Sequence, residues 1–214
     1  MTAPEVELRA AWHQVAGDGH EQQLQALLAR HREPHRRYHT ATHVMWVLRH
    51  VSALLAQGEA CTDPAAVRLA ALYHDAVYAP AAPDNEARSA ALAVQAATAL
   101  GWSQARLQLV ERLVLATAAH EPSDADEALL LDADLAILGA EPSDYTAYLH
   151  GIRGEYAHVP DGAWRAGRSA VLRGFLARPA LFATGTMRRE REARARANIA
   201  TELAALAALS DPSS

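Results

Sequence analysis

Residues 69–78 read LAALYHDAVY. An apolar run ends in two adjacent polar side chains, His74 and Asp75. Neighbouring residues on a helix point about 100° apart, so the pair cannot both decorate one apolar ridge. An imidazole and a carboxylate side by side can instead hold one divalent ion from two directions, if other segments supply further donors. The bland alternative is a half-buried histidine bonded to its neighbours. The rest of the chain must decide between them.

The flanking sequence is punctuated as helices. Asp63-Pro64 is a cap followed by proline at the first helical position. Upstream, Thr40 is placed to cap a long helix through Gln57, with Val44, Val47, Leu48, Val51, Leu54 and Leu55 on its apolar stripe. Gly58 closes it. Before that, short helices are expected over 5–15 and from 18 or 19 to about 30, and residues 34–39 (PHRRYH) form a polar loop. Downstream, residues 79–83 (APAAP) break the chain, and Asp84 caps a helix to about Leu100 that Gly101 ends. Ser103 caps another to about Ala119. Further helices are expected from about 125 to 138, 142 to 156, 160 to 176 and 190 to 209. No segment alternates with a period of two between turn signals.

Composition agrees. Half the residues are hydrophobic while aromatic residues make up 6%, a balance that favours helix over sheet. The expected fold is therefore all-α: a single domain over 1–214, with a metal-binding core at about 33–140 and a C-terminal helical part at about 141–210. A net charge of −5 does not indicate a nucleic-acid surface. The single cysteine, Cys61, allows no intrachain disulfide. No basic segment followed by an apolar core opens the chain, and no apolar run reaches the roughly 20 residues of a membrane span. A cytoplasmic protein is expected, with no membrane partner and its oligomeric state open.

Donors for an ion at His74-Asp75 must come from other helices. His43 falls in the first turn of the long helix, and His39 lies four residues earlier, on nearly the same face if the helix reaches it. Residues 129–139 read LLLDADLAILG, placing Asp132 and Asp134 in an otherwise apolar segment. Buried carboxylates need a positive partner, which a metal ion or an arginine would provide.

The order His43, His74-Asp75, Asp134 resembles the HD superfamily of metal-dependent phosphohydrolases. The segments PHRRYHTATHV, LAALYHDAVY, DNEARSA, LDADLAILG, GEYAHV, AGRSAVLRGFL and REARARANIATEL are similar to those of a bacterial subgroup of predicted HD phosphohydrolases, over about 33–206. The resemblance implies an HD-type helical bundle with His43, His74, Asp75 and Asp134 as metal ligands. Asp132 would then face away or orient a ligand histidine. It also implies an enzyme, a metal-dependent phosphohydrolase acting on a small phosphorylated metabolite, with nucleotides the leading class, through metal-activated water. Imidazole donors suit Mn, Fe, Ni, Co or Zn better than Mg.

Accessory residues are expected around that core. Glu86 resembles the acidic residue that several HD hydrolases use on water, or simply stabilises its helix N-terminus. His39 and His120 are candidates for catalytic roles, the alternatives being a loop histidine and a helix C-terminal cation. Arg36 and Tyr38, and farther on Arg168 and Arg173, are candidates for holding substrate phosphate. The arginine-rich run at 188–196 reads as a salt-bridged solvated face. Two other functions stay open: a non-catalytic HD module binding a metal or nucleotide, and a di-iron HD oxygenase. The second generally carries more histidines between the His-Asp pair and the final aspartate than the lone His120 here.

Overall fold

The computed structural model describes residues 2–80 and 82–209. Residue 81, inside the breaker at 79–83, lies outside them. All regular structure is helical, with no strand among the described residues. The helices are α1 (Ala3–Ala16), α2 (Glu21–His31), α3 (Ala41–Ala56), α4 (Pro64–Tyr73), α5 (Asn85–Ala99), α6 (Gln104–Ala116), α7 (Ala125–Asp134), α8 (Pro142–Glu155), α9 (Asp161–Ala177) and α10 (Gly185–Ala208), with a 3₁₀ turn at Leu135–Gly139. The chain divides into two compact units, Met1–Asp134 and Leu135–Ser214. The division falls inside the segment that reads as one helix from 125 to 138, because the α-helix tightens to 3₁₀ after Asp134.

Side-chain caps set the starts of α3, α4 and α10, while the expected caps Asp84 and Ser103 precede α5 and α6 without a side-chain bond to them. Thr40 accepts from the Thr42 amide, and Asp63 accepts from the Ala66 amide at 3.0 Å, each quieting an unpaired N–H of the first turn. Asp63 is itself gripped by Arg106 at 2.7 and 2.9 Å. α10 begins earlier than expected, because Thr184 rather than Glu190 starts it, with its hydroxyl accepting from the Met187 amide.

In the N-terminal unit α4 is central and packs against α1, α3, α5, α6 and α7. Its residues Ala66, Val67, Leu69, Ala70, Ala71, Leu72 and Tyr73 are all buried. A helix apolar but for Arg68 belongs largely inside a unit, and its alanines let neighbouring helices approach closely. Whatever follows its last turn is therefore delivered to the interior. α4 stops at Tyr73, so His74 is its C-cap and Asp75 lies in the turn beyond. His31, at the end of α2, is also buried. Burial, and then the nearby Arg36 charge, push its pKa down to about 3.

In the C-terminal unit α10 packs against the 3₁₀ turn and α9. The arginine run is largely exposed and carries the i,i+4 pair Glu192–Arg196, as expected, and several of its arginines also cap carbonyls. Arg191 and Arg194 both donate to the Gly139 carbonyl, Arg188 donates to Phe182, and Glu192 accepts from Leu181 and Phe182 while holding Arg196 at 2.7 Å.

Two expectations follow from this packing. A Cβ on Gly139 would lie 2.7 Å from Arg191 Cβ and 2.9 Å from its carbonyl oxygen. That backbone cannot yield, so Gly139→Ala should cost roughly 1–3 kcal/mol, read as a lowered thermal midpoint. His31 binds protons more readily unfolded, where its pKa is 6.5, than folded, where it is about 3. Its contribution to stability is thus whole above pH 6.5 and shrinks as pH falls toward 3. Between pH 7 and 5 the loss should be about 2 kcal/mol. In urea titrations with chelator present, His31→Leu should show that much less acid sensitivity than the parent protein.

Candidate metal centre

Four side chains from α3, the end of α4 and the end of α7 meet within the N-terminal unit. His43 Nε2 and His74 Nε2 lie 3.0 Å apart. Asp75 Oδ2 is 3.3 Å from the first and 3.1 Å from the second. Asp134 Oδ1 is 3.1 Å from His43 Nε2 and 3.5 Å from His74 Nε2. Donors bound to one first-row ion at about 2.0–2.2 Å stand about 3–3.5 Å from one another, so the spacing fits a shared cation. His43, His74 and Asp75 alone offer ligand atoms all within 4.8 Å of one another, a group that could hold a metal ion.

The orientation of the donors is also built in. His74 Nδ1 donates to the Ala71 carbonyl at 2.9 Å, which leaves Nε2 as the lone-pair atom when the ring is neutral. Asp134 divides its carboxylate. Oδ1 faces the two histidines, and Oδ2 is 2.9 Å from His120 Nε2. His120 holds a left-handed backbone, φ 52°, in the turn after α6. Of the two aspartates in the DAD triplet, Asp134 reaches the histidines. Asp132 is buried two residues earlier, about 200° around the helix.

Burial favours neutral forms in all four groups, yet their mutual contacts win. The facing carboxylates raise His43, and raise His74 well above the ordinary imidazole value. Against the same desolvation, the imidazoles hold Asp75 and Asp134 well below the ordinary carboxylate value. Two lone pairs 3.0 Å apart would repel, so protons must mediate the cluster when no cation does. A divalent ion would replace those protons, and two carboxylates with two imidazoles suit it in charge and donor type.

The loop at 33–40 is fastened to the turn after α4. His35 Nε2 lies 2.7 Å from the Tyr78 carbonyl oxygen. The His39 ring stacks on Tyr78 at 4.1 Å and stands 5.6 Å from the His43 ring. Tyr38 lies edge-on to His39 at 5.0 Å and 4.9 Å from His43. Both His39 and Tyr38 therefore border the centre. Tyr78 was not expected as a site residue. Its place in the LAALYHDAVY stretch was the available signal.

Glu86 is half-buried in the first turn of α5. Its helix is tied to the same turn, since Asn85 bonds both main-chain groups of Ala79 and Ser89 accepts from the Val77 amide at 3.0 Å.

The expected phosphate-binding arginines are placed differently. Arg36 is enclosed, and its guanidinium donates to the carbonyls of His39, Asp75 and Ala76 and to Glu33. Its donors are taken up by the fold rather than turned to a ligand. Arg168 belongs to the C-terminal unit, where it grips Glu202 at 2.7 and 3.1 Å and meets the Tyr148 hydroxyl at 3.0 Å. It is a buried structural ion pair there. Arg173 is exposed on α9. No helix among the described residues is long and apolar enough to cross a membrane. Comparisons with protein-family models, curated proteins and solved structures return no match.

Because bound cations stabilise only the folded state, Mn²⁺ or Ni²⁺ should raise the thermal midpoint, and His74→Ala should abolish the rise. An undiminished rise in that variant removes His74 from the centre. Raised histidine pKa values mean that the cation competes with protons. Apparent affinity should therefore climb as pH increases from 6 to 8, with proton release visible as a buffer-dependent binding enthalpy in calorimetry.

Proposed function

We propose that the protein is a metal-dependent phosphohydrolase of the HD type, acting on a small phosphorylated metabolite, with nucleotides the leading class. The observation that carries this reading is the convergence of His43, His74, Asp75 and Asp134 at 3.0–3.5 Å spacings. The sequence resemblance to HD proteins supplies the reaction and the substrate class. A site with two imidazoles favours Mn, Fe, Ni, Co or Zn over Mg.

In this reading those four side chains hold the ion. When bound, the ion supplies charge that polarises a phosphoryl oxygen and acidifies a water. His120 keeps Asp134 turned toward the centre. His39, fixed by its stack on Tyr78, presents an imidazole edge to a phosphate oxygen. Glu86, on the helix tied to the same turn, takes the proton from the attacking water. Water then displaces the leaving group in one step, one P–O bond forming as the other breaks, and the proton accepted by Glu86 is delivered to the departing oxygen. No cysteine or serine nucleophile motif suggests a covalent route.

A second reading, a non-catalytic metal- or nucleotide-binding module, is favoured by one observation. Arg36 and Arg168, the arginines expected to hold phosphate, are engaged within the fold. A panel of nucleotides and sugar phosphates with Mn²⁺, Co²⁺, Ni²⁺ or Mg²⁺, read by phosphate release, separates the two. Absence of release across the panel, with metal demonstrably bound, favours the module.

With a substrate in hand, Asp75→Ala should lose both metal and activity. Glu86→Gln should keep the metal and lose about 10²–10⁴-fold in turnover, the usual scale of general acid–base assistance, with little change in substrate affinity. Full activity in Glu86→Gln would reduce Glu86 to a helix-stabilising role and move proton handling to His39 or His120.

A further inference from the structure

We infer that Arg36 is a positioning residue of the metal centre, acting through the main chain of Asp75 rather than on substrate. The inference rests on the metal-binding reading above. The Arg36 side chain is wholly enclosed, at 0% exposure. Nη1 donates to the Asp75 carbonyl at 2.7 Å and to the His39 carbonyl at 2.9 Å. Nη2 donates to the Ala76 carbonyl at 3.2 Å, and Nε to Glu33 Oε2 at 3.0 Å. One planar group thus joins the peptide of a proposed ligand, the peptide after it, and His39, the residue before the Thr40 cap of α3, the helix that carries His43.

The physical need for such a joint is clear from where α4 stops. Its last helical hydrogen bond is donated by the His74 amide to the Ala70 carbonyl, so the carbonyls of the following turn lack helical partners. In a buried turn they must find donors elsewhere. A cation there is also favoured by the helix dipole. Rotation of the peptide after Asp75 would break the 2.7 Å bond and swing the carboxylate away from the two histidines. Arg36 therefore resists the motion that would disperse the donors. Its position across the joint also fixes the separation of His43 from the His74-Asp75 turn.

Lysine cannot substitute. A single ammonium is a compact point charge and cannot span four acceptors in a fork. Arg36→Lys keeps the charge and removes the geometry, which makes it the discriminating variant. Arg106→Lys is the control, because Arg106 braces the opposite end of the same α4 through Asp63 at 2.7 and 2.9 Å.

The test is Co²⁺ binding to the full-length protein, followed by the visible absorption of the bound ion. Arg36→Lys should bind Co²⁺ about 10–100-fold more weakly, the usual scale for groups that orient ligands, and the absorption bands should shift in position or intensity. Arg106→Lys should lower thermal stability yet keep the parent spectrum and affinity. Parent-like affinity and spectrum in Arg36→Lys would overturn the inference and leave Arg36 a fold-stabilising residue only. Failure of the parent protein itself to bind Co²⁺ would overturn the metal reading, and this inference with it, in a separate arm. Should Arg36→Lys not fold, Glu33→Ala carries the test. It removes the one carboxylate restraint on the guanidinium from a half-buried position. A shifted spectrum is expected there, and an unchanged one overturns the proposal.

Discussion

Two imidazole nitrogens 3.0 Å apart, with carboxylate oxygens within 3.5 Å of both, cannot rest in an apolar interior without positive charge between them. Protons or a cation must supply it. Either way the arrangement is held by its surroundings, because the groups would separate and hydrate if free to move. Much of the N-terminal unit can be understood as the means of denying them that freedom. His74 is locked by its bond to Ala71, Asp134 by His120, and the peptide of Asp75 by Arg36.

The buried α4 makes this confinement possible. Most charged clusters lie at a surface because the element carrying them has a wet face. Here the helix is apolar except at Arg68 and packed against five others, so its C-terminal turn opens inside the unit. The negative end of its dipole faces the donors as well, adding to the preference for a cation there. Helices α3 and α7 lie against α4, which is why His43 and Asp134 can reach the same point from segments far apart in the chain.

The fold class and the His74-Asp75 pair were legible because both are written in residue type and short spacing, whereas the joining of His43 and Asp134 to that pair was implied only by the resemblance to HD proteins. Caps at Thr40 and Asp63, the apolar stripe of α3, and histidine-aspartate at the end of an apolar run all act within a few residues. Arg36 was not legible in the same way. Three of its four acceptors are main-chain carbonyls as far as 40 positions away, and a carbonyl looks the same in every residue. The neighbouring Arg37 presents the same chemistry to a reader of sequence. Arg168 was misleading for a related reason, since Glu202, its partner 34 positions later, stands in a helix crowded with charge. Gly139 was not legible either, because the constraint on it is the distant Arg191 of α10, which passes so near that only a missing side chain leaves room.

His120 brings local and long-range demands into conflict. Just past a helix C-terminus, a left-handed residue is ordinarily glycine or asparagine, and other side chains carry a strain of roughly 1–2 kcal/mol. The chain uses glycine at such positions elsewhere, as at Gly58 and Gly101, with φ 83° and 72°. A histidine at φ 52° is therefore a departure from this protein's own practice. What offsets the strain is the 2.9 Å contact to Asp134 Oδ2, a bond to a buried carboxylate and so among the stronger kinds. Glycine at 120 would relax the backbone and release the carboxylate that closes the centre. The local cost is accepted where the distant side chain needs it, and strain of this kind collects where a site imposes geometry on the fold around it.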